Sequence, residues 1–451
     1  MTFDEYFASL RSRRIGVVGI GVSNRPLLEL LVRSGCEVTA CDMRTREQLG
    51  ETASEMEQLG VSLKLGRDYL DKLDFDIIFR TPGLHPMRLE DARRRGCVIT
   101  SEMEAFFALC PCKTIAITGS DGKTTTSTLT AEILRDAGHR VFLGGNIGAP
   151  LLGRVPEMRE GDIAVLELSS FQLHGMHCSP DVAVVTNIFP NHLDVHPSYE
   201  DYIFAKKSVF ANQREDALLV LNRDNEITAS FSSEAKCRVS WFSRREREDD
   251  GCFYDGEAIY RGGRRLVSRS EIRLPGLHNV ENLMAAFCAT MGLAGDESCR
   301  RVAMEFGGVE HRLELVRTLH GVRFYNDSIA SSPTRTVAGL RSFDQRVILI
   351  AGGHDKNVPF KPLAEEIIKS VKALFLTGET ARRIEHAVDA EPGDKPPVFV
   401  IDDFSAAVRA AARYAREGDV VLLSPACSSF DRFRNFAERG DTFKKIVEGL
   451  S

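Results

Sequence analysis

Residues Ala116 to Thr130 read AITGSDGKTTTSTLT, a β-branched run that breaks into glycine, serine and aspartate before a threonine-rich segment. A phosphate-binding loop has the form G-x-x-x-x-G-K-[ST], in which glycines let the backbone approach an anion and a helix opens at the end. Counting back from Gly122-Lys123-Thr124, the first glycine belongs at 117, where the chain has Ile117, and Gly119 comes two residues too late. The context still favours a phosphate. A strand runs in and a helix runs out, with Lys123 placed to reach terminal phosphates and the Thr124 hydroxyl to ligate Mg²⁺. The plainer alternative is a tight strand–helix turn with a capping threonine, and Gly-Lys-Thr-Thr weighs against it.

Short apolar runs alternate with helical segments on both sides of this loop, which is the pattern of parallel α/β sheets. RIGVVGIG, CEVTACD and DFDIIFRTPG form a first series; KTIAITG, RVFLGGN, DIAVLELSS, DVAVVTNIF and ALLVLN form a second. VRFYND, RVILIAGG, ALFLTGE, PVFVID and DVVLLSP form a third. Cys110-Pro111-Cys112 interrupts a helix between the first two series. The expected organisation is three tandem α/β domains over residues 1–109, 110–308 and 309–451. At about 150 residues per domain, a chain of 451 residues agrees with that count.

A formal charge of −6 gives no electrostatic footprint for nucleic acid. Basic clusters at 244–247 and 261–265 flank FYDGEAIY, a predicted hairpin around Asp255-Gly256 whose rim is expected to be solvated. The eleven cysteines form no CxxC pair, so reduced thiols in a cytoplasmic protein are expected, with Cys110 and Cys112 structural. No apolar run approaches the roughly 18 residues of a membrane span. RIGVVGIGV passes at once into Ser23, Asn24 and Arg25, which is not a signal-peptide core.

In open parallel sheets ligands bind at the carboxyl ends of strands. Glu167 ends an apolar strand beside the phosphate loop, where a carboxylate would hold Mg²⁺; read alone, it is equally a surface cap. NIFPNHLDVHPS gathers His192, Asp194 and His196 in one loop, where lone histidines are more often structural. Lys206, in SYEDYIFAKKSVFANQ, reads by default as a solvated helix lysine. GVVGIGVSN begins like a dinucleotide fingerprint with Asp42 placed for a ribose, but Asn24 stands where the third glycine belongs. This favours some nucleotide site, with a structural turn as the main alternative and an NAD site behind both.

Taken in order, ITGSDGKTTT, GGNIG, ELSSFQL, NIFPNHLD, HRLE, NDSIASSPTRT, GGHDK and LSPACSSFDRFRNF resemble the Mur ligases over nearly the whole chain. ELSSFQL and LSPACSSFDRF point to the branch of that family that adds D-glutamate, and the short phosphate loop is the family's usual form. The resemblance implies a Rossmann-like first domain that binds a UDP-sugar, a P-loop ATPase-like central domain, and a Rossmann-like third domain that binds the amino acid. It implies an ATP-dependent carboxylate–amine ligase of the cytoplasm, acting as a monomer on UDP-N-acetylmuramoyl-L-alanine and D-glutamate, with no nucleic-acid or membrane partner.

By the same resemblance, Gly119, Ser120, Asp121, Gly122, Lys123, Thr124 and Thr125 would hold ATP, with Asn279, Asn282, His311, Arg312 and Asp327. Thr124, Glu167, His192 and a carbamylated Lys206 would serve two Mg²⁺ ions, and Lys123, His192 and Lys206 would be catalytic. Ser23, Asn24, Asp42, Arg44, Gly83, Asn146 and Gln172 would bind the UDP-sugar substrate; Ser331, Lys356, Ser429 and Phe436 would bind D-glutamate. One departure stands out: many relatives carry lysine after Asn-Asp-Ser, where this chain has Ile329. A folylpolyglutamate synthetase would share the loop but not account for the GIGVSN region or SPACSSFDRF. A nucleotide-gated binding protein would not need phosphate, metal and amine sites together.

Overall fold

Ile15–Val18 (β1), Val38–Asp42 (β2), Ser62–Leu65 (β3), Ile77–Arg80 (β4) and Val98–Thr100 (β5) form an all-parallel sheet of order β3-β2-β1-β4-β5. The computed structural model describes residues 1–21, 23–190, 195–355 and 358–451. β1 is buried along its whole length, as a strand covered on both faces must be, which is why it reads as an unbroken apolar run. The chain leaves β1 toward β2 on one side and returns to β4 on the other, so a crevice opens past their carboxyl ends.

A second sheet comprises Lys113–Thr118 (β6), Val141–Gly145 (β7), Ile163–Glu167 (β8), Val182–Val185 (β9), Leu218–Asn222 (β10), Arg238–Ser243 (β11), Cys252–Tyr254 (β12), Ala258–Arg261 (β13) and Arg264–Ser268 (β14). Its order is β14-β13-β12-β11-β10-β9-β6-β8-β7, parallel except for the antiparallel pairs β12–β13 and β13–β14. The strand that feeds the phosphate loop, β6, therefore lies between β8 and β9. The third sheet contains Glu314–Leu319 (β15), Val322–Asn326 (β16), Val347–Ala351 (β17), Val371–Leu376 (β18), Val398–Val400 (β19) and Val420–Leu423 (β20), in the order β15-β16-β20-β17-β18-β19. Only β15–β16 is antiparallel.

The three expected series are thus three sheets, distributed over two compact units. Met1–Arg269 with Glu281–Val302 carries the first and second sheets; Ser270–Val280 with Ala303–Ser451 carries the third. Within the first unit one apolar cluster runs from Phe7 through Phe106, Leu109, Cys112 and Ala116 to Phe231. Cys110-Pro111-Cys112 is therefore a packed crossing between sheets, and all cysteines are free thiols. No helix among the described residues is long and apolar enough to cross a membrane.

The hairpin at Asp255-Gly256 forms, with the Asp255 carboxylate accepting the Glu257 and Ala258 N–H groups. Its basic rim is only partly solvated. Arg261 is buried and donates to the Phe287 and Ala294 carbonyls and to Asp296, because β13 packs against the end of the helix Leu277–Ala289. Arg244 pairs with Glu281.

Glu102 opens the helix Glu102–Leu109 and is buried, accepting the Leu152 N–H at 3.3 Å. Burial pushes its carboxyl up from 4.5 to about 7, and that hydrogen bond offsets the rise only in part. Below about pH 4.5 both folded and unfolded chains hold the proton, so the group contributes nothing. Between 4.5 and about 7 the unfolded chain releases a proton that the folded chain keeps, and stability falls as pH rises. Above that window the penalty is constant. Glu102→Gln should remove this term: its unfolding free energy relative to the parent should rise through the window, by at most about 3 kcal/mol. Denaturant titrations across that pH range would check it, and a flat difference would contradict it.

Candidate active site

The loop after β6 works without the first glycine because two other glycines take up the backbone demand. Gly119 has φ +146°, and a Cβ there would meet Thr186 Oγ1 at 1.9 Å. Gly122 has φ +80°, and a Cβ there would meet Asn282 Oδ1 at 2.2 Å. Only glycine permits both that backbone region and that approach. The loop is laid against the end of β9: Ser120 N–H donates to the Asn187 carbonyl, Asp121 N–H to Asn187 Oδ1, and Thr186 Oγ1 to the Thr118 and Asp121 carbonyls. Thr186 and Asn187 are scaffolding residues that the sequence reading missed; their place directly after the VAVV strand was the available signal.

The helix Lys123–Asp136 starts at Gly122, and its first turn carries Lys123, Thr124 and Thr125. A helix start points N–H groups and the positive end of its dipole at an anion. Lys123 Nζ donates to the Gly119 and Ser120 carbonyls at 2.8 and 2.7 Å, which holds the cation over the loop. Asn282 Oδ1 accepts from Thr126 Oγ1, so this expected ATP residue buttresses the same turn.

Glu167 is no surface cap. It ends β8 at 2% exposure; Oε1 accepts from Asn146 Nδ2 at 2.7 Å, and Oε2 is buried with no hydrogen-bond partner. A buried carboxylate oxygen with no hydrogen-bond partner is the feature expected of a ligand for a hard cation. Asn146, assigned by resemblance to the sugar substrate, spends its amide on orienting Glu167.

Lys206 is likewise no solvated helix lysine. It lies on the inner face of Tyr199–Ala211 at 1% exposure, with Nζ donating to Thr118 Oγ1 at 3.2 Å and lying 4.9 Å from the Tyr202 ring centroid. Burial drives its ammonium well below the ordinary range, and the Lys123 charge adds to that, against the opposing pull of Glu167 and Asp121. His196, by contrast, is structural as expected, sharing hydrogen bonds with Asp201 and Ser170. His192 and Asp194 lie outside the described residues, as does Lys356.

Past β1 and β4, Ser23, Asn24, Arg80, Pro82, Glu102 and Gln172 line a small cleft. Asn24 anchors through Nδ2 to the Val18 and Gly19 carbonyls, leaving Oδ1 buried without a partner. Asp42 does not stand open for a ribose. Its carboxylate takes the Ile20 N–H and a forked pair of bonds from Arg44, which overcome burial and lower its pKa. Gln172 closes a capping box with Ser169, and Gly83 is exposed in the loop after β4. Arg80 was not anticipated. Its buried guanidinium donates to the Thr81, Pro82, Leu84, Phe171 and His174 carbonyls and so fixes the cleft wall.

In the second unit, Ser331, Ser332, Arg335, His354, Val358, Ala426 and Cys427 line a cleft of about 270 Å³ at the ends of β16, β17 and β20. Asp327 accepts from Ser424 Oγ at 2.7 Å, and burial pushes its carboxyl up to about 7 against that bond and the Arg312 charge. His311 adopts φ +61° and shares a 3.0 Å hydrogen bond with Asn326; Phe436 packs edge-on to it at 5.9 Å. Asn279 donates to the Pro275 carbonyl, and Ser429 is buried beside the cleft residues. Arg439, also missed, is 2% exposed and ties the Ser328 carbonyl and hydroxyl to the Cys427 and Ser428 carbonyls. It joins the NDS and PACSS segments that the resemblance assigns to ATP and D-glutamate.

Comparison with known proteins agrees with this geometry. The family model described as the Mur ligase middle domain matches residues 117–290, and that of the Mur ligase glutamate ligase domain matches 311–427. UDP-N-acetylmuramoylalanine--D-glutamate ligase of Clostridium novyi is 50% identical, with 100% of this chain and 99% of that protein covered. Among solved structures, UDP-N-acetylmuramate-alanine ligase of Thermotoga maritima shares the fold at TM-score 0.60 and 17% identity, covering 97% of this chain and 99% of that one. The MurF ligase of Thermotoga maritima, solved in complex with ADP, does so at TM-score 0.55 and 18% identity, with 97% and 99% covered. On full-length identity and matched domains, the chain belongs to the Mur ligase family.

Proposed function

We propose that the protein is a cytoplasmic, monomeric, ATP-dependent ligase that joins D-glutamate to UDP-N-acetylmuramoyl-L-alanine in peptidoglycan precursor synthesis. The observation that carries this reading is the convergence of Lys123, the unpartnered Glu167 oxygen and buried Lys206 behind the phosphate loop, in a chain half identical to a relative of that name. The first sheet would hold the UDP-sugar, the second ATP and the third D-glutamate, with domains over 1–109, 110–308 and 309–451.

A carboxylate resists attack by an amine, so it must first be activated. The alanine carboxylate attacks the γ-phosphorus of ATP, ADP leaves, and an acyl phosphate forms. The amine of D-glutamate then adds to the carbonyl, loses a proton, and the tetrahedral intermediate expels inorganic phosphate. Three anions must meet, so the protein's task is to neutralise and orient them. Lys123 and the first turn of its helix would hold the terminal phosphates; Gly119, Ser120, Asp121 and Gly122 would shape the loop around them. Thr124 and Glu167 offer oxygen ligands suited to Mg²⁺, and His192 and Lys206 would complete a second position. Bound Mg²⁺ would supply charge neutralisation at the phosphates. Asn282, Asn279, His311, Arg312 and Asp327 would face the nucleotide.

Phosphate release with UDP-N-acetylmuramoyl-L-alanine and a panel of amino acids tests the assignment. D-glutamate alone should support turnover, and equal rates with L-glutamate or a diamino acid would reject it.

The burial of Lys206 is what supports reading it as carbamylated. Only a neutral amine attacks CO₂, and burial favours the neutral form here. The carbamate would turn a cation into a carboxylate beside Glu167. With ¹³C-bicarbonate, the parent should give a carbamate carbon resonance that Lys206→Ala lacks, together with loss of turnover. The same resonance in both proteins would reject the role.

Ile329 leaves the family's lysine unreplaced, and Arg335 is the cation proposed to serve instead. It lines the second unit's cleft with Ser331, its Nη1 lies 3.4 Å from the Ile329 carbonyl, and its charge is felt at Asp327. A guanidinium there would pair with a carboxylate or phosphate through a forked contact. Arg335→Ala should weaken affinity or turnover by about 1.5–3 kcal/mol, the range for hydrogen bonds to charged groups. Adding Ile329→Lys should recover part of that loss. Unchanged kinetics in Arg335→Ala would exclude it.

A further inference from the structure

Behind Gln172 three histidines surround one carboxylate. Asp201, in the first turn of Tyr199–Ala211, shares Oδ1 with His174 Nε2 at 2.9 Å and Oδ2 with His196 Nδ1 at 2.7 Å. His85 Nε2 stands 3.5 Å from Oδ2, and the His85 and His174 ring centroids are 4.4 Å apart. His85 lies in the loop after β4, whereas His174 caps the turn Ser170–Leu173 after β8. The cluster therefore bridges the first and second sheets inside the first unit.

Its hydrogen bonding is incomplete. His85 Nε2 and His174 Nδ1 are both buried with no hydrogen-bond partner. One ligand atom from each of His85, His174 and Asp201 lies within 4.8 Å of the other two. Bonds of about 2.0–2.2 Å in a tetrahedral zinc centre set ligand atoms roughly 3.3–3.6 Å apart. His85 Nε2 stands at that spacing from Asp201 Oδ2, at 3.5 Å, whereas His174 Nε2 is at hydrogen-bond distance, 2.9 Å, from the other oxygen, Oδ1, and would exchange that bond for the metal. Two imidazoles and one carboxylate suit Zn²⁺ or Co²⁺, whereas Mg²⁺ prefers oxygen alone.

We propose that His85, His174 and Asp201 form a transition-metal site, distinct from the Mg²⁺ positions at the phosphate loop, that takes Zn²⁺ with water as the remaining ligand. His196 is a positioning residue: it holds Asp201 through Nδ1 while Ser170 fixes its Nε2. Arg80 holds the backbone on both sides, donating to the Leu84 and His174 carbonyls at 2.6 and 2.7 Å. Occupancy would pin the loop that carries Pro82 and Gly83 to the helix that carries Lys206, and so stiffen one wall of the cleft after β1.

The full-length protein, stripped with chelator and held in excess Mg²⁺ to saturate the phosphate-loop carboxylate, would be titrated with Co²⁺. The proposal requires a visible d–d band that saturates at a single equivalent and is displaced by Zn²⁺. It also requires a rise in unfolding temperature with Zn²⁺. His85→Gln, in a half-buried loop position, should abolish the band while the far-ultraviolet circular dichroism stays that of the parent. His196→Gln should weaken binding by about 10–100-fold, as loss of a ligand's supporting hydrogen bond does. Absence of a saturable band in the parent, or the same band and temperature shift in His85→Gln, would overturn the proposal.

Discussion

A buried lysine next to a buried carboxylate, both behind the phosphate loop, is the constraint on which the active region depends. Lys206 and Glu167 are 1% and 2% exposed. Removing ions from water is costly unless partners replace the lost hydration. Here the replacement is partial: Lys206 has Thr118 and the face of Tyr202, and Glu167 has Asn146 on one oxygen. The remaining imbalance is directional, because it calls for a cation at Glu167 and disfavours the charged form of Lys206. On the proposed function, a loop that would receive phosphate, metal and carboxylate is thus prepared by groups whose hydration is only partly replaced within the protein.

The shortened loop follows from the same economy. A longer loop would wrap phosphates with its own backbone, whereas this one borrows a neighbour. Thr186 and Asn187, at the end of β9, take the Ser120 and Asp121 N–H groups and the Thr118 and Asp121 carbonyls, so fewer residues are needed to fix the turn. The strand order makes this possible, since β6 lies directly against β9 with Thr118 in register with Val185. Gly119 is required by that contact, since a Cβ there would run into Thr186 and Asn187.

What was legible in the sequence was what periodicity and short spacing encode. Apolar runs predicted the three sheets, and the Asp255-Gly256 hairpin and the strand–loop–helix at Thr118–Thr126 formed as read. What was not legible was the fate of individual charges. Lys206 and Arg261 read as solvated, and Arg80 and Arg439 drew no notice, yet all four are buried. Their partners lie up to 111 residues away, as Ser328 does from Arg439, and no local pattern announces such pairings. Periodicity reports which face of an element is apolar; it does not report that a long cation has been drawn inward by carbonyls from a distant loop.

Arg80 and Arg439 share a logic that connects fold to site. Burial lowers both guanidinium groups to about 10, which still leaves them charged near neutrality. Each spends its donors chiefly on backbone carbonyls of segments that follow strand ends: Arg80 on 81–84 and 171–174, Arg439 on Ser328 and 427–428. A lysine could not replace either, because a single ammonium cannot reach carbonyls on two segments in the fixed fork that guanidinium offers. The two arginines thus do for the clefts of the first and third sheets what Thr186 and Asn187 do for the phosphate loop: they convert flexible connections into walls of fixed shape.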